Sequence, residues 1–508
     1  MSGPLPTEIR RLRDRIRGWA EEYGLDFNET FFELLDHDAI HEVAAYGGFP
    51  TRFPHWRFGM QYEGLRKSYA YGLQKIYELV IHNDPCYAYL MRSNSLTDQK
   101  IVIAHVYGHA DFFKNNLWFG PSNTKMIDQM ANHGTRVRRY ADRHGAEKVE
   151  RFLDDALSLE NLVDVHAAYR PKEKRAAGTP DPDRLDEEER RIGERLPRLK
   201  SPAEYMDRYL NPPEVMDRER KRLEKALERR RRFPAAPDRD VLRFLQENAP
   251  LSSWQRDVLA IVRAEALYFA PQAMTKIMNE GWATFWHSTI LTERALEDDE
   301  LLDYADAHSG TLATQPGRLN PYKLGLELWR EVQDRWDRGR FGVEWNRCDD
   351  ASKRRAWDTR AGLGRQKIFE VRRAYNDVTF IDEFLTEDFV RDRRLFVYKR
   401  GSEGEMVVSS REFAEVKSTL LRDLTNLGNP IVEVEDGNHR NRGELLLRHR
   451  WDGLDLKLDW SRETLEALHR VWKRPVHLAT QVEGRGRVLS FDGDRHTSEE
   501  TREGAEEA

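Results

Sequence analysis

The chain of 508 residues is poor in cysteine, with only Cys86 and Cys348. Two thiols cannot build a disulfide framework or a cysteine-only zinc site. No run of about 18 apolar residues occurs, so no transmembrane helix is expected. The first residues, Met1 to Arg17, are charged and lack an apolar stretch, so no secretory signal is expected. Charge of one sign is also missing: 82 Lys and Arg stand against 88 Asp and Glu, a net charge of −6. Such a balance gives no global attraction to nucleic acid or anionic membrane. No Gly-x-x-x-x-Gly-Lys-Ser/Thr loop, no strand-linked Gly-x-Gly-x-x-Gly and no Gly-x-Ser-x-Gly elbow appears. These absences exclude the commonest nucleotide-binding and serine-hydrolase signatures. A cytoplasmic protein from a reducing compartment is the expectation.

What is present reads as several regions. Ile9, Leu12, Ile16 and Trp19 make a helical face. Asn28 is expected to cap a second helix through Leu35. A Gly/Pro/aromatic loop follows from Tyr46 to Phe58, kept out of a helix by Pro50 and Pro54; Phe49–Phe58 is a candidate pocket wall. Tyr62 to Leu73 is helical, and Lys75 to Asn83 reads as a strand before the turn at Asp84-Pro85. Ser95-Leu-Thr-Asp98 has capping-box spacing and opens an apolar helix through Phe113. Residues 171–250 carry charge runs between prolines, the pattern of a solvated insert or linker; Arg229–Arg232 is a possible basic partner patch. A strong helical region from Asp257 to Leu291 is interrupted at Pro271. A turn-rich stretch runs from His308 to Pro321, then a helix from Tyr322 to Arg338. After residue 390 short strands are expected at 395–400, 405–408, 431–435, 444–450, 454–460 and 476–480. Helices at 411–422 and 461–473 fall between them. The expected fold is therefore mainly α with a C-terminal α+β domain. Its divisions are a helical first part of a metal-binding core (1–170), the charged insert (171–250), a helical second part of the core (251–390), the α+β domain (391–488) and a disordered acidic tail (489–508).

Two segments carry candidate chemistry. His105 and His109 are four residues apart, so on a helix they project from one face. That is the spacing by which two imidazoles share one zinc ion. Gly108 costs helix stability but leaves room for close approach of another backbone or a ligand. In the second segment Glu280 sits within an apolar stretch, where a carboxylate needs a cation or a metal beside it. Gly281 and Ala283 keep that helix slim. Together His105, His109 and Glu280 form the donor set of an open catalytic zinc site, so Zn2+ is the expected cofactor. Glu280-Gly-Trp-Ala283 resembles the second metal-ligand helix of zincin-type metallopeptidases, and a helical zincin-like core is the corresponding expectation. The usual His-Glu-x-x-His places a general base after the first histidine; here Val106 stands there. Asp111, Glu265 and His287 are candidate replacements, or groups that orient the ligands. His308 and Tyr107 are further pocket candidates, while His133 and His166 count only if the fold brings them near. The plain alternative is a buried polar network with a non-catalytic scaffold around it.

Several strings resemble one family. They are Ala104-His-Val-Tyr-Gly-His-Ala-Asp-Phe-Phe-Lys-Asn-Asn116, Ser158-Leu-Glu-Asn-Leu-Val-Asp164, Ala249-Pro-Leu-Ser-Ser-Trp-Gln-Arg-Asp257, Tyr268-Phe-Ala-Pro-Gln272, Thr275-Lys-Ile-Met-Asn-Glu-Gly-Trp-Ala283, Asn320-Pro-Tyr-Lys-Leu-Gly325 and Phe380-Ile-Asp-Glu-Phe-Leu385. The chain resembles the stage V sporulation protein R (SpoVR) family from about residue 10 to 485. The resemblance implies a part in forming the spore cortex, a modified peptidoglycan. In bacteria that do not sporulate it implies a stationary-phase or stress programme with a PrkA-type serine kinase and a YhbH-type partner. It implies no defined reaction.

Overall fold

The computed structural model describes residues 5–70, 79–170, 206, 209–402 and 404–501. They divide into two compact units. The first comprises 1–146 and 267–428, the second 147–266 and 429–508. The architecture is mainly helical with a sheet region near the C-terminus.

In the first unit the centre is the helix Leu96–Asn115. Ser95 accepts from Asp98 N and Asp98 accepts from Ser95 N, the reciprocal cap expected from the spacing. From Val102 to Phe113 every residue is buried, so the helix is wrapped on all sides. It packs against the helices Thr7–Glu22 and Lys276–Ile290. Lys276–Ile290 in turn packs against Pro321–Asp337, which carries Gly364–Ala374 on its other side. Leu12, Ile16, Val102, Val106, Trp282, Leu328, Trp329 and Ile368 belong to one apolar cluster among these helices.

Small residues set how closely the three central helices approach. A Cβ built on Gly108 would lie 2.7 Å from Ala283 Cα, and one on Gly281 would overlap the backbone of Gly325. The slimness read from Gly108, Gly281 and Ala283 is therefore used for backbone-to-backbone contact. Asp377 fixes the start of the Lys276–Ile290 helix, accepting from Ile277 N at 2.8 Å and Met278 N at 2.9 Å.

A three-stranded sheet lies in the same unit: β1 (Thr30–Leu35), β2 (Leu79–Ile81) and β3 (Cys86–Met91), in the order β1-β3-β2. β1 runs parallel to β3 with Thr30 opposite Cys86, and β2 runs antiparallel to β3. The helix expected from Asn28 to Leu35 is thus a strand. Phe32 and Leu34 are buried while Phe31 is exposed, a two-residue period that suits a half-buried sheet. The cap belongs to Asp36, which accepts from Ala39 N and opens the helix His37–Ala45. The aromatic loop ends earlier than expected, because the helix Trp56–Ala70 begins right after Pro54 and His55. Residues 75–78 of the expected strand lie outside the described residues, as do 71–73 of the helix before it. Helix Ser253–Met274 contains Pro271 and ends at Thr275, so the break falls four residues past the proline. The turn-rich stretch from His308 starts inside a helix, Leu301–Thr311.

β4 (Val397–Arg400) and β5 (Met406–Ser410) form a separate antiparallel hairpin. With the helix Phe413–Leu424 it belongs to the first unit, not to the C-terminal sheet.

The second unit holds a five-stranded sheet of β6 (Val432–His439), β7 (Glu444–His449), β8 (Val476–Val482), β9 (Arg485–Phe491) and β10 (His496–Glu500). Its order is β10-β9-β8-β7-β6. β7 and β8 are parallel and joined through the helix Leu458–Trp472, as a parallel pair requires a crossover. That helix occupies part of 454–460, where a strand is expected. β9 and β10 occupy 485–500, so the segment expected to be disordered from 489 is paired sheet up to Glu500; 502–508 lie outside the described residues. The helices Ala146–Ser158 and Val241–Asn248 extend the unit. Arg470 donates to Asp155 at 2.7 Å and Phe244 stacks on Trp472 with ring centres 5.8 Å apart. Of the charged insert, 171–205 and 207–208 lie outside the described residues; Pro213–Arg231 is a helix. Arg232 pairs with Glu435, which satisfies one charge of the supposed basic patch internally.

Candidate metal centre

The Leu96–Asn115 helix presents His105 and His109 on one face, and the Lys276–Ile290 helix presents Glu280 opposite them. Glu280 Oε2 lies 3.6 Å from His105 Nε2 and 3.4 Å from His109 Nε2. One ligand atom from each of the three falls within 4.8 Å of the others. Ligands bound to a tetrahedral zinc at 2.0–2.1 Å sit about 3.3 Å apart, which is close to these separations. The two helices can bring them so near because Gly108, next to His109, carries no Cβ against Ala283.

The second nitrogen of each imidazole is held from behind. His109 Nδ1–H donates to Asn279 Oδ1 at 2.9 Å. In a neutral ring that leaves Nε2 as the basic nitrogen, facing Glu280. His105 Nδ1 lies 2.9 Å from His287 Nδ1, and His287 Nε2 lies 3.2 Å from His308 Nδ1. The chain of three rings is satisfied in either polarity; in one of them His105 Nδ1–H donates to His287 Nδ1 and His287 Nε2–H donates to His308 Nδ1. In that polarity Nε2 is the basic atom of His105. Tyr322 stacks on His105 with ring centres 6.1 Å apart, and His308 stacks on Tyr304 at 5.4 Å.

The carboxylate at the centre of the group is held in its charged form. Burial by itself would raise the Glu280 carboxyl. The His105 and His109 imidazoles outweigh that and hold it well below the usual carboxylate range. Glu280 Oε2 is buried yet makes no hydrogen bond of ordinary geometry. Burial, followed by the field of His105, keeps His287 neutral by pushing it well below the ordinary histidine value.

The remaining expected residues fall in different places. His287 and His308 join the cluster. Asp111 faces away: its carboxylate accepts from Asp26 N and Trp282 Nε1, both at 2.8 Å, and stands 3.5 Å from Arg372 Nη1. Burial pushes Asp111 up to about 6 despite Arg372. Tyr107 packs in the core against Phe27 and Phe32, with ring centres at 4.6 and 5.6 Å. Glu265 belongs to the second unit and is not a member of the His105/His109/Glu280 group. His166 also lies in the second unit, and His133 pairs with Gln129. Phe49, named as pocket wall, packs on Tyr268 and Phe269. Val106 is fully buried, and valine has no group that accepts a proton. Asn279 and Tyr322 were not singled out by residue type. Both lie in the strings Thr275–Ala283 and Asn320–Gly325, which is the signal that marks them.

The family model described as "SpoVR like protein" matches residues 5–429, and the chain belongs to the SpoVR family. A relative from Escherichia coli (strain K12), the uncharacterized protein YcgB, is 30% identical over 499 residues, covering 92% of this chain and 90% of its own length. No solved structure matches the chain. Among the described residues no helix is long and apolar enough to cross a membrane.

Proposed function

We propose that His105, His109 and Glu280 hold a divalent metal ion, zinc by its preference for imidazole and carboxylate in a four-coordinate set. The observation that carries this is the convergence of two Nε2 atoms on a buried carboxylate oxygen that has no hydrogen bond. The two back-side partners support it: Asn279 Oδ1 accepts from His109 Nδ1–H, and His287 Nδ1 takes the same role for His105 when the histidine chain runs toward His308. We further propose a hydrolase-like role in a zincin-like core, on an amide of a peptide or peptidoglycan precursor. A cytoplasmic protein acting in spore cortex formation or a stress programme is the biological setting that the family resemblance gives. Bound zinc supplies a Lewis acid and an acidified water. Glu280 and the two imidazoles would hold the ion, and Val106 has no group that could take a proton from such a water.

Buried Val106 favours a second reading, in which the ion is structural and the protein is a scaffold for a PrkA-type kinase and a YhbH-type partner. Elemental analysis decides the shared premise: purified, zinc-loaded protein should carry about one metal per chain, and His105→Ala or Glu280→Gln should lose nearly all of it. A full equivalent retained by His105→Ala would remove the metal reading. Chelator-sensitive release of new amino groups from peptidoglycan fragments separates the two roles, since a structural ion gives none.

A further inference from the structure

A second site stands apart from the histidine cluster, at the C-terminal end of the Leu96–Asn115 helix. There a cleft of about 860 Å³ opens in the first unit. Its lining includes Lys114, Arg365, Phe369, Glu370, Arg372 and Arg373. Four cations thus face one carboxylate. The size is that of a small-molecule site.

Arg372 is the informative member. Its side chain is 8% exposed, and its guanidinium lies over the rings of Phe369 and Trp282, 5.1 and 5.7 Å from their centres. Asp111 stands 3.5 Å from Nη1, near enough for attraction but without a hydrogen bond. Both Nε and Nη1 are buried and bond to nothing among the described residues. A buried guanidinium with two unsatisfied N–H groups is costly and calls for an acceptor. The backbone beneath it is fixed, because Asn116 Nδ2 donates to Arg372 O at 2.7 Å and to Tyr375 O at 2.9 Å. The neighbouring cations differ in commitment. Lys114 pairs with Asp26 at 2.5 Å, and Arg365 donates to Tyr23 O. Arg373 is exposed at the rim. Glu370 accepts from Gln366 at 2.8 Å, which reduces its competition for the arginines.

We propose that this cleft binds a small organic anion, a phosphate or carboxylate whose oxygens accept from the Arg372 fork while its apolar part lies on Phe369. The Nε–Nη2 edge of this planar guanidinium matches either group bidentately, while Nη1 faces Asp111. The inference is independent of the metal reading, since none of its residues is a proposed ligand.

Isothermal titration calorimetry on the full chain, at constant ionic strength against a chloride reference, tests it with inorganic phosphate and succinate as probes. Saturable one-site binding of either probe is expected; the tighter one assigns the phosphorylated or the carboxylated class. Arg372→Lys keeps the charge opposite Asp111 but loses the fork, so affinity should fall about tenfold or more. Arg373→Gln, an exposed change that leaves folding intact, should weaken binding several-fold and flatten its salt dependence. His105→Ala should bind the anion as the unmodified protein does. The proposal is overturned if neither probe saturates beyond chloride. It is equally overturned if Arg373→Gln and Arg372→Lys both bind unchanged, or if His105→Ala alone abolishes binding.

Discussion

Several side chains of the first unit are ionisable groups placed where charge is expensive. His82 is 4% exposed, its ring packed 5.3 Å from Phe113 and 5.0 Å from Phe119. Burial lowers it to about 4. Its unfolded value is 6.5, so above that pH both states are neutral and the ring costs nothing. As pH falls from 6.5 toward 4 the unfolded chain takes up the proton first, and stability is lost. His82→Phe keeps a ring among the same neighbours and cannot titrate. Chemical denaturation at pH 7.5 and 4.5 should show the variant gaining on the unmodified protein by about 2.5 kcal/mol at the lower pH. Parallel pH profiles for the two proteins would show that the buried ring is not the cause. Asp377 moves the other way. Burial raises it to about 7 against its two backbone donors, so its charged form costs stability as pH rises through that value. At the proposed metal centre, Asn279→Ala should lower zinc affinity about 10- to 100-fold while leaving both Nε2 atoms in place. A competitive chelator titration measures this.

At the scale of elements, the closeness of three helices depends on glycine. Helix propensity alone says that Gly281→Ala should stabilise by about 1 kcal/mol. Packing says the reverse, because the new Cβ would overlap the Gly325 backbone, which cannot swing aside as a flexible side chain would. Overpacking should win, with a loss of about 1–3 kcal/mol and weaker metal binding, since Glu280 is the adjacent residue. Gly18 is the control: nothing lies within 4 Å of a Cβ there, so Gly18→Ala should gain up to about 1 kcal/mol. Thermal melts of the two variants should shift in opposite directions; shifts of the same sign would contradict the packing argument. The helices that matter here were legible before the fold. The Ser95 cap, the His105/His109 face and the helix after Asn320 all depend on local spacing, and each appears where expected. β1 was not legible, because Asn28 to Leu35 mixes a capping residue with a short apolar run that fits either period. Only its pairing with β3 decides for a strand.

For the whole molecule, two units with separate cores predict two unfolding transitions by calorimetry. The proposed metal lies wholly in the first. Chelation should lower that transition by on the order of 5 °C and leave the other unmoved, because a ligand stabilises only the unit whose native state binds it. A chelator that moves neither transition would argue against a bound ion. The two units also redraw the divisions expected from composition. The β4–β5 hairpin falls in the first unit, while Val241–Asn248 joins the C-terminal sheet in the second. The family match ends at residue 429, where the first unit ends at 428.

The sequence by itself determined the helical class, the family and the identity of the three converging side chains, His105, His109 and Glu280. Each follows from local periodicity, from strings of residues, or from donor types that burial would penalise if they stood alone. Tertiary structure decided the rest. It turned Asp111 toward Trp282 and Arg372, put Tyr107 in the core, left Glu265 in the other unit and set His287, His308, Asn279 and Tyr322 around the imidazoles. The reason is geometric. Spacing along one helix fixes which residues share its face, but which groups meet that face depends on segments about 170 to 220 residues away, placed by packing that no local pattern encodes.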